Sequence, residues 1–383
     1  MHLFLYSIIP EIDTLAPIID SIKDKNKVII RSVNVINTYS DHPIFKLLKD
    51  KNINLSNKPI LNIKGTLAFI LMKIINSLPI FIQDKLIILI TYFFYNIVPF
   101  NKNYLSIFLK KNKIQSITID DGCREKIINI IYQAASEMDI PIIMHQVGLF
   151  IIKTKQIIIN EKISYYHSKY NFEERPKFIK NKKTKLIFLG FPRFTSFWIN
   201  KLKDISQIKR NELENNNLLN VSLFTRPRKK ILDKNNQIIS KIKKIENVRL
   251  KVKNKPRHIM TNKQENKHFD KFTSSEIIDW SDVIITHNTS IIAEMLLKQK
   301  PIFFLDYLSP PDEYYYILKY NCINIIKSEE ELLNLIISIK NDKSLLKEYI
   351  HDSSKYFSEL VHDDLDDKTV YKNYSEFYLN LNK

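Results

Sequence analysis

Glycine is nearly missing from this chain. Only 4 occur among 383 residues, beside 2 tryptophans and 2 cysteines, and each shortage removes a class of explanation. There is no G-x-G-x-x-G, no P-loop and no G-x-S-x-G, so the glycine-rich phosphate cradles and the nucleophile elbow are set aside. Cys123 and Cys322 stand far apart and match no metal spacing, which suits a reducing cytoplasm. No DXD-like motif follows a strand, since Asp363, Asp364, Asp366 and Asp367 lie in the C-terminal tail. Neither a metal nor a cofactor is therefore expected. The residues Met1-His2-Leu3-Phe4 lack the basic n-region of a signal peptide. Long hydrophobic runs are also scarce. Across residues 67–100, Lys73, Asp84 and Lys85 interrupt the apolar sequence and leave only residues 86–100. A membrane span needs roughly 20 residues, so buried helices are the favoured reading. An interfacial helix carrying Tyr92, Phe93, Phe94 and Tyr95 is the alternative.

What is present describes a globular protein. Hydrophobic residues make up 44 % and aromatic residues 11 %, which excludes a disordered chain. The length accommodates two domains. A net charge of +18 invites a nucleic-acid reading. However, the lysines are scattered, and the abundance of Ile, Asn, Lys, Tyr and Phe has the look of AT-rich codon usage. No nucleic acid is expected. The anionic partners that remain are a phosphorylated substrate and an anionic membrane surface.

Along the chain, strand-like and helical patterns alternate. Residues 2–9, 27–33, 116–119, 141–145 and 185–189 are short apolar runs suited to strands buried on both faces, with helical spacing over 10–22, 61–97 and 124–138. Residues 197–218 turn polar, and the domain boundary is placed there, at 208/209. A second alternation follows, with strands over 219–224, 248–252, 282–286, 301–305 and 322–326 and helices over 235–245, 291–298, 312–319 and 329–339. Residues 356–383 read as a helical tail that packs back on the first domain. The expected fold is α/β, with two Rossmann-like domains (1–208 and 209–355) facing a central cleft.

The loops after these strands carry the candidate chemistry. His287-Asn288-Thr289-Ser290 forms a polar turn after strand 282–286 and opens a helix. In open parallel sheets ligands bind at that edge, and free N–H groups there suit a phosphate. Lys255-Pro256-Arg257-His258 and Thr225-Arg226-Pro227-Arg228 follow two neighbouring strands and supply cations for a phosphate. Asp120-Asp121-Gly122 and His145-Gln146-Val147-Gly148 end strands of the first half. By its residues alone the acidic loop reads as an N-cap turn, and His145 is equally open as a structural or a catalytic histidine. Gly122, Gly148 and Gly190 each follow a strand, where a tight turn or a close backbone approach accounts for them.

Ser281-Asp282, Asn288-Thr289-Ser290, Glu294 and Lys300-Pro301, together with Gly190-Phe191-Pro192-Arg193-Phe194, resemble motifs of GT-B glycosyltransferases. The likeness is to enzymes of bacterial surface polysaccharides: capsule-type Kdo and sialic acid transferases and CDP-glycerol glycerophosphotransferases. The resemblance implies a donor site made of His287, Asn288, Thr289, Ser290, Glu294, Lys255, Arg257, His258, Arg226 and Arg193. Asp120-Asp121-Gly122 looks like the D/E-D/E-G motif of bacterial sialyltransferases. That likeness implies Asp121, then Asp120, as the general base, with His145 as a further catalytic candidate and Gln146, Gly148 and Gly122 on the acceptor side. One departure is plain: the family's His-Pro is Lys255-Pro256 here, which weakens a CMP-sugar donor. The implied function is a metal-independent, inverting transferase moving a sugar from a CMP- or UDP-linked donor to a glycan or lipid-linked acceptor. Its place is the cytoplasm, with peripheral association at the inner membrane face left open. The alternatives are glycerol-phosphate transfer, UDP-sugar 2-epimerisation, and a non-catalytic basic binding protein on a degenerate shell.

Overall fold

The computed structural model describes residues 1–7, 9–33, 43–78, 82, 86, 101–120, 125–145, 163–166, 185–205, 218–225, 229–254, 272–287, 289–308 and 315–381. The chain divides into two compact units, one of Met1–Thr195 with Val361–Lys383 and the other of Ser196–Leu360. The sequence reading had set the boundary at 208/209, within the polar stretch. Helix Ser196–Lys203 occupies the start of that stretch and buries Trp198.

Among the described residues the first unit has seven parallel strands: β1 (His2–Tyr6), β2 (Val28–Ser32), β3 (Ile53–Pro59), β4 (Ser116–Asp120), β5 (Ile142–His145), β6 (Ile163–Tyr166) and β7 (Lys185–Leu186). Their order is β3-β2-β1-β4-β5-β6-β7. Strand order reverses between β1 and β4, the topological switch point of a doubly wound sheet. The helices that matter below are α1 (Ile9–Ile22), α2 (Ile44–Leu47), α3 (Ile63–Asn76), α4 (Lys102–Lys111) and α5 (Glu125–Ser136). Side chains on a strand alternate faces, and β1 shows the consequence. Leu3 and Leu5 join Ile117, Ile119, Ile128 and Leu109 in one core. His2 and Phe4 turn the other way, onto the C-terminal helix.

β3 and α4 were not foreseen. β3 (INLSNKP) is an edge strand whose polar residues and terminal proline mask its periodicity. The stretch 61–97 was read as helical and apolar, with buried helices favoured over an interfacial helix for residues 67–100, and α3 departs from the favoured reading on one side. α3 ends at Asn76, and Leu67, Ile70 and Ile74 are exposed. Burial needs a partner on that side of the helix, and none of the described residues covers it. Residues 87–100 lie outside the described residues. Among the described residues no helix is long and apolar enough to cross a membrane.

Among its described residues the second unit has five parallel strands: β8 (Leu219–Thr225), β9 (Val248–Asn254), β10 (Val283–Thr286), β11 (Ile302–Leu305) and β12 (Asn324–Ile326), in the order β12-β11-β10-β8-β9. This too is a doubly wound arrangement, with its switch point between β8 and β10. Its helices, following α6 (Ser196–Lys203), are α7 (Lys229–Ile242), α8 (Ser274–Trp280), α9 (Ile292–Leu297), α10 (Tyr315–Leu318), α11 (Glu329–Asn341) and α12 (Ser354–Tyr356). The core gathers Val221, Leu223, Val283, Ile285, Phe303 and Leu305 of the sheet under Ile238, Ile242, Leu332 and Ile336.

The last helix, α13 (Asp367–Asn380), belongs to the first unit. Tyr378 and Thr118 share a hydrogen bond of 2.7 Å through their hydroxyls, and the Tyr378 ring packs on His2 and Phe4. Tyr374 donates from its hydroxyl to the Gly190 carbonyl at 2.9 Å. The tail therefore lies on the even-residue face of β1 and β4. Tyrosine suits this place because its ring fills the core while its hydroxyl finds a partner.

Candidate functional site

In the second unit the carboxyl edge at the switch point is formed by the ends of β8 and β10. Phe224 pairs with Thr286, so Thr225 and His287 are the next residues of the two strands. Thr225 and His287 are both buried. The His287 ring is fixed by a 3.0 Å bond between its Nε2 and the Asn235 Oδ1. Because that oxygen can only accept, Nε2 is the donor of this bond and carries a proton. Asn235 is a candidate that the sequence reading missed, although a signal exists. It falls on the buried stripe Ile231, Ile238, Ile239 and Ile242 of α7, where a polar residue needs a partner.

Thr289 and Ser290 are half-buried, and their carbonyls accept from Ile292 and Ala293 at 3.2 and 3.3 Å. The turn thus leads directly into α9. That helix has six residues, so its dipole is small and the hydroxyls and turn N–H groups are the stronger attraction for an anion. Among the other expected donor contacts, Asn288, Lys255, Arg257, His258 and Arg226 lie outside the described residues.

The other parts of the motif lie elsewhere along the strands. Asp282 accepts from the Asn220 N–H at 2.8 Å, and Lys300 donates to the carbonyls of Ser281 and Asp279 at 2.7 and 3.2 Å. Both groups sit at the amino ends of β10 and β11, away from the switch-point edge. Glu294 is buried and pairs with Lys298 at 3.1 Å, and Lys298 also reaches Asp279 at 3.0 Å and the Ser275 hydroxyl at 2.7 Å. This lysine ties α8 to α9. Basic residues of β9 are likewise engaged: Arg249 and Lys251 both lie over the Trp280 ring.

In the first unit, Phe4 pairs with Thr118 and Asp120 pairs with His145. Two residues further on, the end of β1 (Tyr6 and Ser7) comes beside Asp120. Tyr6, Asp120 and His145 therefore line up across three adjacent strands at the switch-point edge, all of them buried. The Ser7 hydroxyl donates to both carboxylate oxygens of Glu11 at 2.6 and 2.8 Å, closing the first turn of α1. Arg193 lies 3.7 Å from the Asp13 carboxylate and is 3.5 Å from the Thr14 hydroxyl, so it braces α1. Asp121, Gly122, Gln146 and Gly148 lie outside the described residues. Among the described residues no three His, Cys, Asp or Glu side chains form a metal-binding group.

Burial pushes His145 down to about 3 and its ring lies 5.8 Å from that of Tyr374. The imidazole is neutral at neutral pH and can serve as a hydrogen-bond partner, not as a cationic acid. His2 is held near 4, again mainly by burial. A group whose folded pKa is depressed binds its proton more readily in the unfolded chain. Stability is complete above about pH 6.5 and is lost as the pH falls through this range towards 3–4. At roughly 1.4 kcal/mol per unit each ring contributes a few kcal/mol. Urea midpoints measured at pH 7 and pH 4.5 are expected to fall less for His145→Gln than for the parent protein. An unchanged difference would remove His145 from the acid response.

No protein-family model matches the chain, and no curated protein does. Solved structures do. The S. aureus MnaA–UDP co-structure aligns over 99 % of this chain and 97 % of its own, with a TM-score of 0.57 and 11 % identity. UDP-GlcNAc 2-epimerase of Methanocaldococcus jannaschii, in complex with UDP-GlcNAc and UDP, covers 100 % and 99 %, with a TM-score of 0.56 and 15 % identity. Anabaena HepE, in complex with UDP and glucose, covers 99 % of both chains, with a TM-score of 0.53 and 14 % identity. With its two parallel-sheet Rossmann-like units, this chain has the GT-B fold.

Proposed function

We propose that the protein is a glycosyltransferase that takes a UDP-linked sugar, bound at the carboxyl edge of the second unit. The observation that carries this reading is the switch point between β8 and β10, where Thr225, His287, Thr289 and Ser290 come to one edge. Hydroxyls and turn N–H groups at such an edge hold a diphosphate. Lys255 and Arg257, which follow β9 in the sequence, would neutralise the departing UDP and take the part that a metal ion plays elsewhere. Uridine is favoured over cytidine by the Lys255-Pro256 departure from His-Pro and by the UDP in the structures of similar fold.

In the transfer, Asp121 or Asp120 accepts the proton of an acceptor hydroxyl. The freed oxygen bonds to the anomeric carbon while the carbon–oxygen bond to UDP breaks, and the electron pair leaves with the diphosphate. The acceptor is a glycan or a lipid-linked sugar. Calorimetric titration with UDP, CDP and CMP is expected to show UDP binding tightest, with Ser290→Ala losing about tenfold in affinity through one bond to a charged phosphate. Absence of any nucleotide affinity would remove the enzyme reading.

A second reading is supported by the UDP-GlcNAc 2-epimerases that match the whole chain. It is epimerisation of a UDP-sugar, which needs no acceptor. Incubation with UDP-GlcNAc alone separates the two: an altered sugar in the absence of acceptor would favour the epimerase.

A further inference from the structure

α3 is apolar on two opposite sides. Gly65, Ala68, Met72 and Ile75 face inward. On the other side Ile63 is 89 % exposed, Leu67 57 %, Ile70 49 % and Ile74 54 %. These four positions follow i, i+4, i+7 and i+11, one continuous stripe of roughly 17 Å along the helix. Scattered exposed aliphatics elsewhere, such as Ile325, Ile337 and Ile350, are ordinary. Four in one line are not.

The charges around the stripe identify what it fits. The only ionisable residues of α3 are Lys64 and Lys73, both exposed. At 100° per residue they fall on opposite flanks of the stripe. The stem of Lys73 lies along the helix, its ammonium 5.1 Å from the centre of the Phe69 ring. From residue 51 to residue 83 the sequence contains Lys51, Lys58, Lys64 and Lys73 and no acidic residue. A protein partner of ordinary composition would find no acceptor for its own basic groups here. An anionic bilayer matches every element: the aliphatics enter the headgroup boundary while lysines on both flanks reach the phosphates.

From this arrangement we infer that the exposed face of α3 docks in the plane of an anionic lipid surface. The site is remote in sequence from the donor edge, so its test is independent of nucleotide binding. Full-length protein is sedimented with vesicles of phosphatidylcholine alone and of phosphatidylcholine with a quarter phosphatidylglycerol, at about 0.1 M salt. The parent protein is expected to partition onto the anionic vesicles, with salt weakening the association. Leu67→Glu with Ile70→Glu is expected to lose about tenfold or more in partitioning, while circular dichroism and UDP affinity stay unchanged. Lys64→Glu with Lys73→Glu is expected to abolish the preference for the anionic vesicles. Absence of binding by the parent protein, or full binding by the Leu67→Glu/Ile70→Glu variant, overturns the inference. So does a parent protein that ignores vesicles and self-associates through this face, shown by light scattering as a dimer that the same variant lacks.

Discussion

Asp121→Asn is expected to lose sugar transfer by roughly 10²–10⁴-fold, the usual contribution of a positioned base, with UDP affinity intact. Asp120→Asn is the necessary companion. Asp120 closes β4 fully buried, level with His145 on β5, and consecutive side chains on a strand point to opposite faces. Only one acid of the pair is therefore expected to reach an acceptor hydroxyl. Asp120→Asn should show itself chiefly as a lowered melting temperature, because an amide then replaces a carboxyl group that is fully buried. Initial rates with UDP-sugar and acceptor, alongside thermal unfolding, distinguish the two. Should Asp120→Asn lose turnover while Asp121→Asn keeps it, the base is Asp120. Full activity in both variants rejects the base assignment. The neighbouring histidine does not rescue either variant, since burial holds His145 neutral and hard to protonate.

Gly190→Ala should be the most damaging small substitution in the first unit. The backbone there has φ of +82°, a conformation that costs an L-residue roughly 1–2 kcal/mol. An added Cβ would stand 2.6 Å from one methyl of Val370 and 3.2 Å from the other. Overpacking of that kind costs about 1–3 kcal/mol. Together they take roughly 2–5 kcal/mol from a total stability of about 5–15 kcal/mol. The damage is local to the tail, because the Gly190 carbonyl accepts from Tyr374 of α13. Denaturant unfolding of Gly190→Ala, Val370→Ala and the double variant forms a cycle. Removing the methyls of Val370 is expected to recover the steric part and leave the backbone part. A loss below about 1 kcal/mol in the single variant would show that the segment shifts without cost.

How the motif block divides illustrates what a sequence can and cannot show. Ser281-Asp282, Glu294 and Lys300-Pro301 were read together with His287-Asn288-Thr289-Ser290 as one donor signature. In the fold, β10 runs between them. Asp282 and Lys300 clasp the amino ends of two strands and Glu294 pairs with Lys298, whereas among the described residues of the block His287, Thr289 and Ser290 come to the carboxyl edge. Linear spacing records that residues travel together, not which end of a strand each occupies.

The alternation of short β-branched runs with helical spacing was sufficient by itself to determine two parallel α/β units, because a strand buried on both faces must be apolar throughout. It also determined which loops lie at carboxyl ends, and so where Asp120, His145, His287, Thr289 and Ser290 would come. Three things were decided only by tertiary structure. Strand order, which makes β1/β4 and β8/β10 the switch points, depends on pairings between segments far apart in sequence. Asn235 acquired its role because α7 crosses the end of β10. The stripe of Ile63, Leu67, Ile70 and Ile74 was exposed because, among the described residues, only the opposite side of α3 is covered. Periodicity specifies that a helix has an apolar face; which face finds a partner is a property of packing.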